Sequence, residues 1–306
     1  MILKQIPLWE GREDVVLHTY LRHCNPNPLF PAEQEMLPAV VICPGGAYLF
    51  CSTENEGDDV AMEFSAAGYQ VFVLQYTVGT ACGAYDSRHP AQLLDLGKAI
   101  LTIRDHAVEW HVDTERIALI GFSAGANLCG NMATQWHTPL LSEYFGVPSH
   151  YFRPMAVVLG YPVADFSLQM EHNAAMPPNP MLMMGDEAFF GTRRPTQEQL
   201  DAVSPCRHVS ENTPPIFLFH AANDSMVPVR QTLKMAAALA EHSIPFEVHI
   251  FEKGEHGFGA GNPYTVGPYR MDKRFSCHAW TQLAANWLLH QASPETAVHE
   301  QMSMRS

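Results

Sequence analysis

Short apolar runs alternate with longer segments of helical periodicity along most of this chain. Apolar positions recur at helical spacing over residues 90–110, 229–242 and 276–290, which predicts amphipathic helices. The intervening runs are nearly continuous in apolar residues, as strands of a parallel sheet covered on both faces must be. This alternation predicts an α/β fold with a doubly wound, mostly parallel sheet and helices on both faces. The predicted strands are residues 38–44, 69–76, 116–123, 154–162, 215–221 and 246–253.

Two segments interrupt this alternation. Residues 163–204 are rich in Pro, Met and Phe and are too long for an ordinary connection. We interpret them as an insertion over the sheet edge that contributes to a pocket wall; a surface excursion with no role in the site is the alternative. From about residue 292 the sequence is polar and aperiodic, which predicts a frayed tail over 292–306. The sequence therefore predicts one domain over 1–291, with its first sheet strand beginning near Val15.

The charge balance narrows the classes of partner. Of the 306 residues, 16% are charged and the formal net charge is −14, so the protein should repel nucleic-acid phosphates and anionic lipid. No apolar run approaches the roughly 20 residues that a membrane-spanning helix needs, and the first residues lack a secretory signal pattern. We expect a soluble, cytoplasmic protein with no nucleic-acid or membrane partner, and leave its oligomeric state open.

The cysteine and histidine patterns argue against disulfides and metal sites. The seven cysteines are odd in number and scattered, and Cys43 and Cys129 lie in apolar surroundings, which predicts buried free thiols. No C-x-x-C, H-E-x-x-H or H-x-H arrangement occurs. The sequence therefore predicts no metal site.

The stretch LIGFSAGANL, residues 119–128, places the pattern G-x-S-x-G between a predicted strand and a predicted helix. This is the setting of a nucleophile elbow, in which a strained turn exposes the serine hydroxyl. Gly121 and Gly125 allow close approach of neighbouring backbone, and the Ala124 N–H at the helix start favours developing negative charge. We predict Ser123 as a nucleophile; a tight turn used only for packing is the alternative.

A nucleophilic serine needs a base and an acid to orient that base. Asp224 follows the strand FLFHA and His256 follows the next strand, in the glycine-flanked loop KGEHGFG. Both positions are carboxyl ends of parallel strands, where open α/β sheets bind ligands. The predicted triad is therefore Ser123, Asp224 and His256.

Rival acids and histidines are less well placed. Asp165 follows an earlier strand and Asp186 lies inside the insertion, whereas Glu252 and Glu255 are interpreted as a strand end and a solvated loop residue. Two further histidines fall inside strand runs and are interpreted as structural, hydrogen-bonded residues: His220 and His249.

A candidate oxyanion hole follows the strand that ends in PGGAY, residues 44–48. Small residues here let the backbone N–H groups of Gly46 and Ala47 point at a substrate oxygen, beside the N–H of Ala124. A plain Pro-Gly turn is the alternative interpretation of this segment.

These segments together resemble α/β-hydrolases of the esterase and lipase class, and more narrowly the acetyl esterases described as acetylxylan or xylanase-associated esterases. The resemblance covers most of residues 15–291 and rests on the stretches around PGGAYLF, LIGFSAGANL, FLFHAANDSMVP and FEKGEHGFG. Many relatives have a third glycine where this chain has Ala47. Relatives that resemble hormone-sensitive lipase begin this motif with His where this chain has Pro44. The resemblance implies Ser123 as nucleophile, Asp224 as acid, His256 as base, and Gly46, Ala47 and Ala124 as oxyanion donors.

The resemblance also implies an acyl-enzyme mechanism without a cofactor, acting on small acyl groups and especially on acetyl esters of sugars. Tyr48 and Phe258 are the predicted substrate contacts, although each is equally a candidate for the core. A serine peptidase, an amidase or another small-ester hydrolase on the same fold remains an alternative, as does a non-catalytic binding module. Further candidates for the pocket wall are Phe50, Met183, Met184, Phe189 and Phe190.

Overall fold

Eight strands form one sheet in the computed structural model, which describes residues 1–23, 36–79, 86–261 and 276–291. The strands are β1 (Ile2–Trp9), β2 (Arg12–Leu21), β3 (Leu37–Cys43), β4 (Gln70–Gln75), β5 (Val112–Phe122), β6 (Val157–Gly160), β7 (Ile216–Ala221) and β8 (Phe246–Phe251). Their spatial order is β1-β2-β4-β3-β5-β6-β7-β8. The β1–β2 and β2–β4 pairs are antiparallel, whereas the other neighbours are parallel. The predicted doubly wound, mostly parallel sheet is thereby confirmed.

Helices cover both faces of this sheet. They are α1 (Asp59–Ala66), α2 (Ala91–Asp105), α3 (Ala107–Trp110), α4 (Ala124–Gln135), α5 (Pro139–Phe145), α6 (Phe166–Ala175), α7 (Pro180–Phe190), α8 (Gln197–Ala202), α9 (Arg230–Glu241) and α10 (Trp280–Gln291). A short π-helix, Thr53–Asp58, precedes α1. Within the described ranges, none of the helices is long and apolar enough to cross a bilayer.

Two hydrophobic cores lie on opposite faces of the sheet. On β3, Val41 packs in the core that contains residues of α2, α4 and α9, whereas Val40 and Ile42 pack with α1 and α10. Successive strand side chains point to opposite faces. Because both faces of β3 are buried, its sequence is a continuous run of apolar residues.

The prediction that the sheet begins near Val15 was wrong. The sheet begins at β1, which pairs with β2 through a tight connection at Gly11, whose φ is 73°. Ile2 and Leu3 of this edge strand are exposed. An edge strand with exposed apolar positions lacks the burial pattern by which the other strands were identified.

The predicted insertion contains three helices, α6, α7 and α8, between β6 and β7. Helix α7 lies directly on the loop after β3, because a Cβ added to Gly185 would be 2.1 Å from the carbonyl oxygen of Ala47. The insertion therefore touches the loop predicted to supply oxyanion donors. The predicted tail, 292–306, lies outside the described residues.

Candidate active site

Ser123 occupies a sharp turn between β5 and α4. Its φ and ψ are 52° and −117°, a conformation that is strained for a residue with a Cβ. Close packing enforces the turn: a Cβ on Gly121 would lie 2.3 Å from the Gly125 oxygen, and one on Gly125 would lie 2.0 Å from the Cys43 oxygen. The glycines of the G-x-S-x-G pattern are therefore required by backbone contacts that present the serine hydroxyl.

The three predicted triad residues form one hydrogen-bonded chain. The Ser123 hydroxyl lies 3.0 Å from His256 Nε2, and His256 Nδ1 lies 2.7 Å from Asp224 Oδ2. The other oxygen of Asp224, Oδ1, accepts the N–H groups of Met226 and Val227, each at 2.9 Å. The carboxylate is thus fixed by backbone donors and directs its second oxygen at the histidine.

The charges of Asp224 and His256 stabilise each other. Burial opposes ionisation of Asp224, but the His256 charge and the hydrogen bonds of His220 and His256 hold the pKa of Asp224 below its ordinary value. Burial also opposes protonation of His256, but the charge and hydrogen bond of Asp224 and the charge of Glu56 outweigh it and raise the pKa of His256. The imidazole is therefore suited to accept a proton and remain charged transiently.

His220 lies behind the acid as a buried, structural histidine. Its Nε2 lies 2.9 Å from the Val227 carbonyl oxygen and 3.2 Å from Asp224 Oδ2, and its Nδ1 lies 2.7 Å from the Thr232 hydroxyl. A carbonyl only accepts, so Nε2 carries the proton and Thr232 donates to Nδ1. The interpretation of His220 as a histidine bonded to backbone agrees with this geometry, which adds the contact with Asp224.

None of the rival acids, Asp186 included, is hydrogen-bonded to His256 among the described residues. Asp165 is buried in an ion pair with Lys234 and caps the first turn of α6 through the Leu168 N–H. Glu252 and Glu255 are exposed. Among these acids, Asp224 is the one hydrogen-bonded to His256 in the described part of the chain.

Three residues that line the cavity with Ser123 have backbone N–H groups without protein acceptors in the described ranges: Gly46, Ala47 and Ala124. The loop bends sharply, with φ values of 132° at Gly46, 54° at Ala47 and 58° at Tyr48. A Cβ on Gly46 would lie 2.0 Å from the Phe50 carbonyl oxygen, so this position requires glycine. Such free donors beside a nucleophile fit the geometry of an oxyanion hole.

A buried carboxyl group behind this loop was missed by the sequence analysis. Glu56, in the π-helix, accepts the Gly45 N–H at 2.7 Å and the Tyr161 hydroxyl at 2.6 Å. The same hydroxyl accepts the Gly259 N–H at 3.0 Å, and the Asn55 amide donates to the Gly257 oxygen at 2.8 Å. Burial raises the pKa of Glu56 despite these donors. This network joins the loop of residues 44–48, called the oxyanion loop after its predicted role, to the loop that contains His256. No local motif in the stretch ENEGD indicates this network.

Of the two predicted substrate contacts, one lines the cavity in front of Ser123 and the other does not. Tyr48 is on the cavity wall, where its ring stacks on Phe189 at 3.9 Å and its hydroxyl donates to Asn127 at 2.7 Å. Phe258 is 1% exposed, packs against Tyr161 and Phe219, and lies outside the wall of this cavity. The structure therefore favours the core interpretation of Phe258.

The other candidates for the wall divide in the same way. Phe50 and Phe189 line the cavity, whereas Phe190 packs against Phe166 and Phe189 behind it. Met183 and Met184 are exposed on α7. The described residues contain no group of three or more His, Cys, Asp or Glu side chains placed to hold a metal ion.

Comparisons with known proteins place this chain in a family. A family model described as BD-FAE matches residues 29–239. Endo-1,4-beta-xylanase B from Butyrivibrio fibrisolvens is 30% identical over 244 residues, which cover 76% of this chain and 35% of that protein. An acetylxylan esterase from Xylanibacter ruminicola is 26% identical over 224 residues, which cover 73% of this chain and 41% of that protein.

A solved structure extends the likeness to nearly the whole chain. The acetyl ester-xyloside bifunctional hydrolase from Caldicellulosiruptor lactoaceticus has a TM-score of 0.71 and 29% sequence identity, over 94% of this chain and 96% of that chain. By contrast, the chain spans only about a third to two-fifths of the two curated relatives. Since the family model matches more than half of the sequence, and the solved structure is similar over nearly the whole chain, the chain belongs to the BD-FAE family and has the α/β-hydrolase fold.

Proposed function

We propose that this chain is a serine carboxylesterase that hydrolyses short-chain acyl esters, with acetylated sugars or xylo-oligosaccharides as its substrates. The observation that carries the proposal is the pair of hydrogen bonds that links Ser123, His256 and Asp224. The Ser123 hydroxyl lies 3.0 Å from His256 Nε2, and His256 Nδ1 lies 2.7 Å from Asp224 Oδ2. A serine hydroxyl becomes an effective nucleophile when such a base takes its proton. The names of the xylanase, acetylxylan esterase and acetyl ester-xyloside hydrolase relatives support the carbohydrate part.

The proposed reaction has two halves. His256 takes the Ser123 proton as the oxygen attacks the ester carbonyl, Asp224 stabilises the charged imidazole, and the backbone donors bind the oxyanion. When the carbon–oxygen bond to the alcohol breaks, His256 gives the proton to the leaving alcohol. His256 then takes a proton from water as the water attacks the acyl-enzyme. When the bond from the acyl carbon to Ser123 Oγ breaks, His256 returns the proton to that oxygen, and the acid leaves. No cofactor enters this sequence of steps.

The shape of the cavity supports a preference for small acyl groups. The stacked pair of Tyr48 and Phe189 lies on its wall, and α7 packs against the oxyanion loop at Gly185. Tyr48, Phe189 and Gly185 are buried, and closely packed groups yield little space without strain. We therefore expect acyl chains much longer than acetyl to fit poorly against this wall.

A hydrolysis panel tests the proposed function. We expect the wild-type protein to cleave p-nitrophenyl acetate and acetylated xylo-oligosaccharides, with kcat/KM at least about 10-fold lower for octanoyl and feruloyl esters. Peptide amides are expected to remain uncleaved. Turnover of long acyl chains with no action on acetylated sugars would contradict the substrate class, and cleavage of peptides alone would favour the peptidase alternative.

Glu56 provides a prediction for the pH profile. The serine mechanism needs neutral His256, so kcat/KM is full above the pKa of His256 and falls as pH decreases through it. Because the Glu56 charge helps to raise that pKa, Glu56→Gln should shift the acidic limb to lower pH, by about 0.5 to 1 unit. Loss of one acceptor for Gly45 or Tyr161 should also lower kcat about 10-fold.

The matched control is Glu54→Gln, an exposed carboxyl group on the same π-helix. Its acidic limb should coincide with that of the wild type. A limb that stays in place in Glu56→Gln, or moves to higher pH, would contradict the assigned electrostatic role of Glu56.

A further inference from the structure

Helices α6 and α7 place two polar side chains where the active-site cavity meets a second cavity. The second cavity is walled by residues that include His172, Met176, Asn179 and Met183. Four residues line both cavities and form a wall that the cavities share: Asn173, Leu182, Asp186 and Met226. A substrate whose ester lies at Ser123 can therefore contact this shared wall from within the active-site cavity.

The Asp186 carboxyl group on this shared wall has no hydrogen-bond or ion-pair partner among the described residues. Burial raises its pKa to about 6. At neutral pH the group is mostly ionised, and a partly desolvated carboxylate without donors is unfavourable. A ligand that brings hydrogen-bond donors to Asp186 would relieve this cost.

Asn173 offers the complementary group. Its Oδ1 accepts from the Gln169 amide at 2.9 Å, and the same amide also donates to the Met226 carbonyl oxygen at 2.9 Å. Gln169 Oε1 accepts from Gln231 at 3.3 Å, so the orientation of the Gln169 amide is set by the protein. The Nδ2 group of Asn173 donates to no protein acceptor in the described ranges. The shared wall thus presents one free acceptor and one free donor.

The position of α7 puts Asp186 on the wall of the cavity that Ser123 also lines. Gly185, the residue before Asp186, packs against the Ala47 carbonyl oxygen of the oxyanion loop. An acetyl group has no hydrogen-bond donors, so any donor that reaches Asp186 must belong to the alcohol part of the substrate. A carboxylate at this place also repels phosphorylated or carboxylated alcohols.

We propose that Asp186 and Asn173 form a subsite that binds free hydroxyl groups on the alcohol part of the ester. The proposal rests on the proposed esterase function and deepens it. A hydroxyl both donates and accepts, so neighbouring hydroxyls of a sugar ring match a carboxylate beside an amide N–H. A purely cationic alcohol would leave the Asn173 donor unused. The substrate class is therefore a neutral, partly deacetylated sugar ester, rather than a fully acetylated one.

The test compares esters that differ in free hydroxyls. We would measure kcat/KM for a methyl xyloside that carries one acetyl group and two free hydroxyls, for its fully acetylated analogue, and for cyclohexyl acetate and p-nitrophenyl acetate. The wild type should prefer the monoacetylated xyloside over cyclohexyl acetate. Asp186→Asn should lower kcat/KM for the monoacetylated xyloside about 10- to 100-fold and change that for the other esters by less than about 3-fold.

Glu187→Gln is the matched control, because Glu187 is the next residue on α7 and its exposed carboxylate pairs with Arg193 at 2.8 Å. It should keep the wild-type preference. Equal losses on all four esters in Asp186→Asn, or a preference retained by that variant, overturn the subsite while the esterase function stands. A wild type that cleaves p-nitrophenyl acetate without preferring hydroxylated esters overturns both the subsite and the carbohydrate substrate. A wild type inactive on every ester overturns the proposed function itself.

Discussion

Replacing Ser123 with alanine is expected to lower kcat/KM for p-nitrophenyl acetate about 10⁵- to 10⁶-fold, the loss typical when a serine nucleophile is removed from an intact triad. The Ser123 hydroxyl is the atom that forms the acyl-enzyme, and water in its place lacks the fixed distance of 3.0 Å to His256 Nε2. The variant should also lose covalent labelling by a fluorophosphonate probe. Alanine fits the strained turn as well as serine does, so the melting temperature should change by only a few degrees.

Ser52 supplies the control for this experiment, since it lines the same cavity but lies outside the hydrogen-bonded chain to His256. Ser52→Ala should retain fluorophosphonate labelling and activity within about 3-fold. If Ser123→Ala were still labelled, and Ser52→Ala were not, the nucleophile would have been assigned to the wrong serine. Absence of labelling in the wild type would favour the non-catalytic binding module.

Asp224→Asn is expected to lower kcat/KM about 10⁴-fold, because the amide imposes the wrong tautomer on the base. The Met226 and Val227 N–H groups both donate to Asp224 Oδ1 at 2.9 Å, so an asparagine must keep its oxygen there. Its NH₂ group then replaces Oδ2 and donates to His256 Nδ1. The proton of the imidazole moves to Nε2, which can no longer accept one from Ser123.

The same orientation predicts that the asparagine variant folds. It keeps both backbone hydrogen bonds, although its NH₂ group now faces the His220 Nε2–H at the position where Oδ2 lies 3.2 Å away. We expect a loss of stability of about 1 to 3 kcal/mol, measured by denaturant unfolding. Glu252→Gln, at an exposed acid just upstream of His256, should be fully active. Activity within 10-fold of the wild type in Asp224→Asn would show that another group orients the histidine.

The geometry around Ser123 was largely predictable from the sequence, for a physical reason. Parallel strands end at one edge of a sheet, so residues that follow β5, β7 and β8 are brought together by the topology alone. Ser123 was marked by its flanking glycines, and Asp224 and His256 by their places after apolar runs. The edge strand β1 was missed because most of its side chains are exposed, so its sequence lacks the apolar run that marks a buried strand.

The polar groups that support the site were not predictable by the same reasoning. Glu56 lies in a stretch that is polar in sequence, and it is buried only because the π-helix turns it behind Gly45. Asp186 was considered only as a rival acid, because its place on the cavity wall depends on how α7 packs against Ala47. Phe258 is an aromatic residue close to His256 in the sequence, as a pocket residue could be, but it packs in the core against Tyr161 and Phe219. In each case a tertiary contact decides the role of the residue.

The contact between Gly185 and the Ala47 carbonyl oxygen constrains how this enzyme could change its substrate during evolution. Helix α7 of the insertion lines the cavity in front of Ser123 and also packs on the loop that we propose holds the oxyanion donors. A substitution that shifts α7 to admit a different alcohol therefore also moves Ala47 relative to the carbonyl oxygen of the ester. Binding selectivity and transition-state stabilisation are mechanically linked here. New specificities should consequently arise by exchange of side chains on a fixed α7 backbone, rather than by remodelling of the insertion.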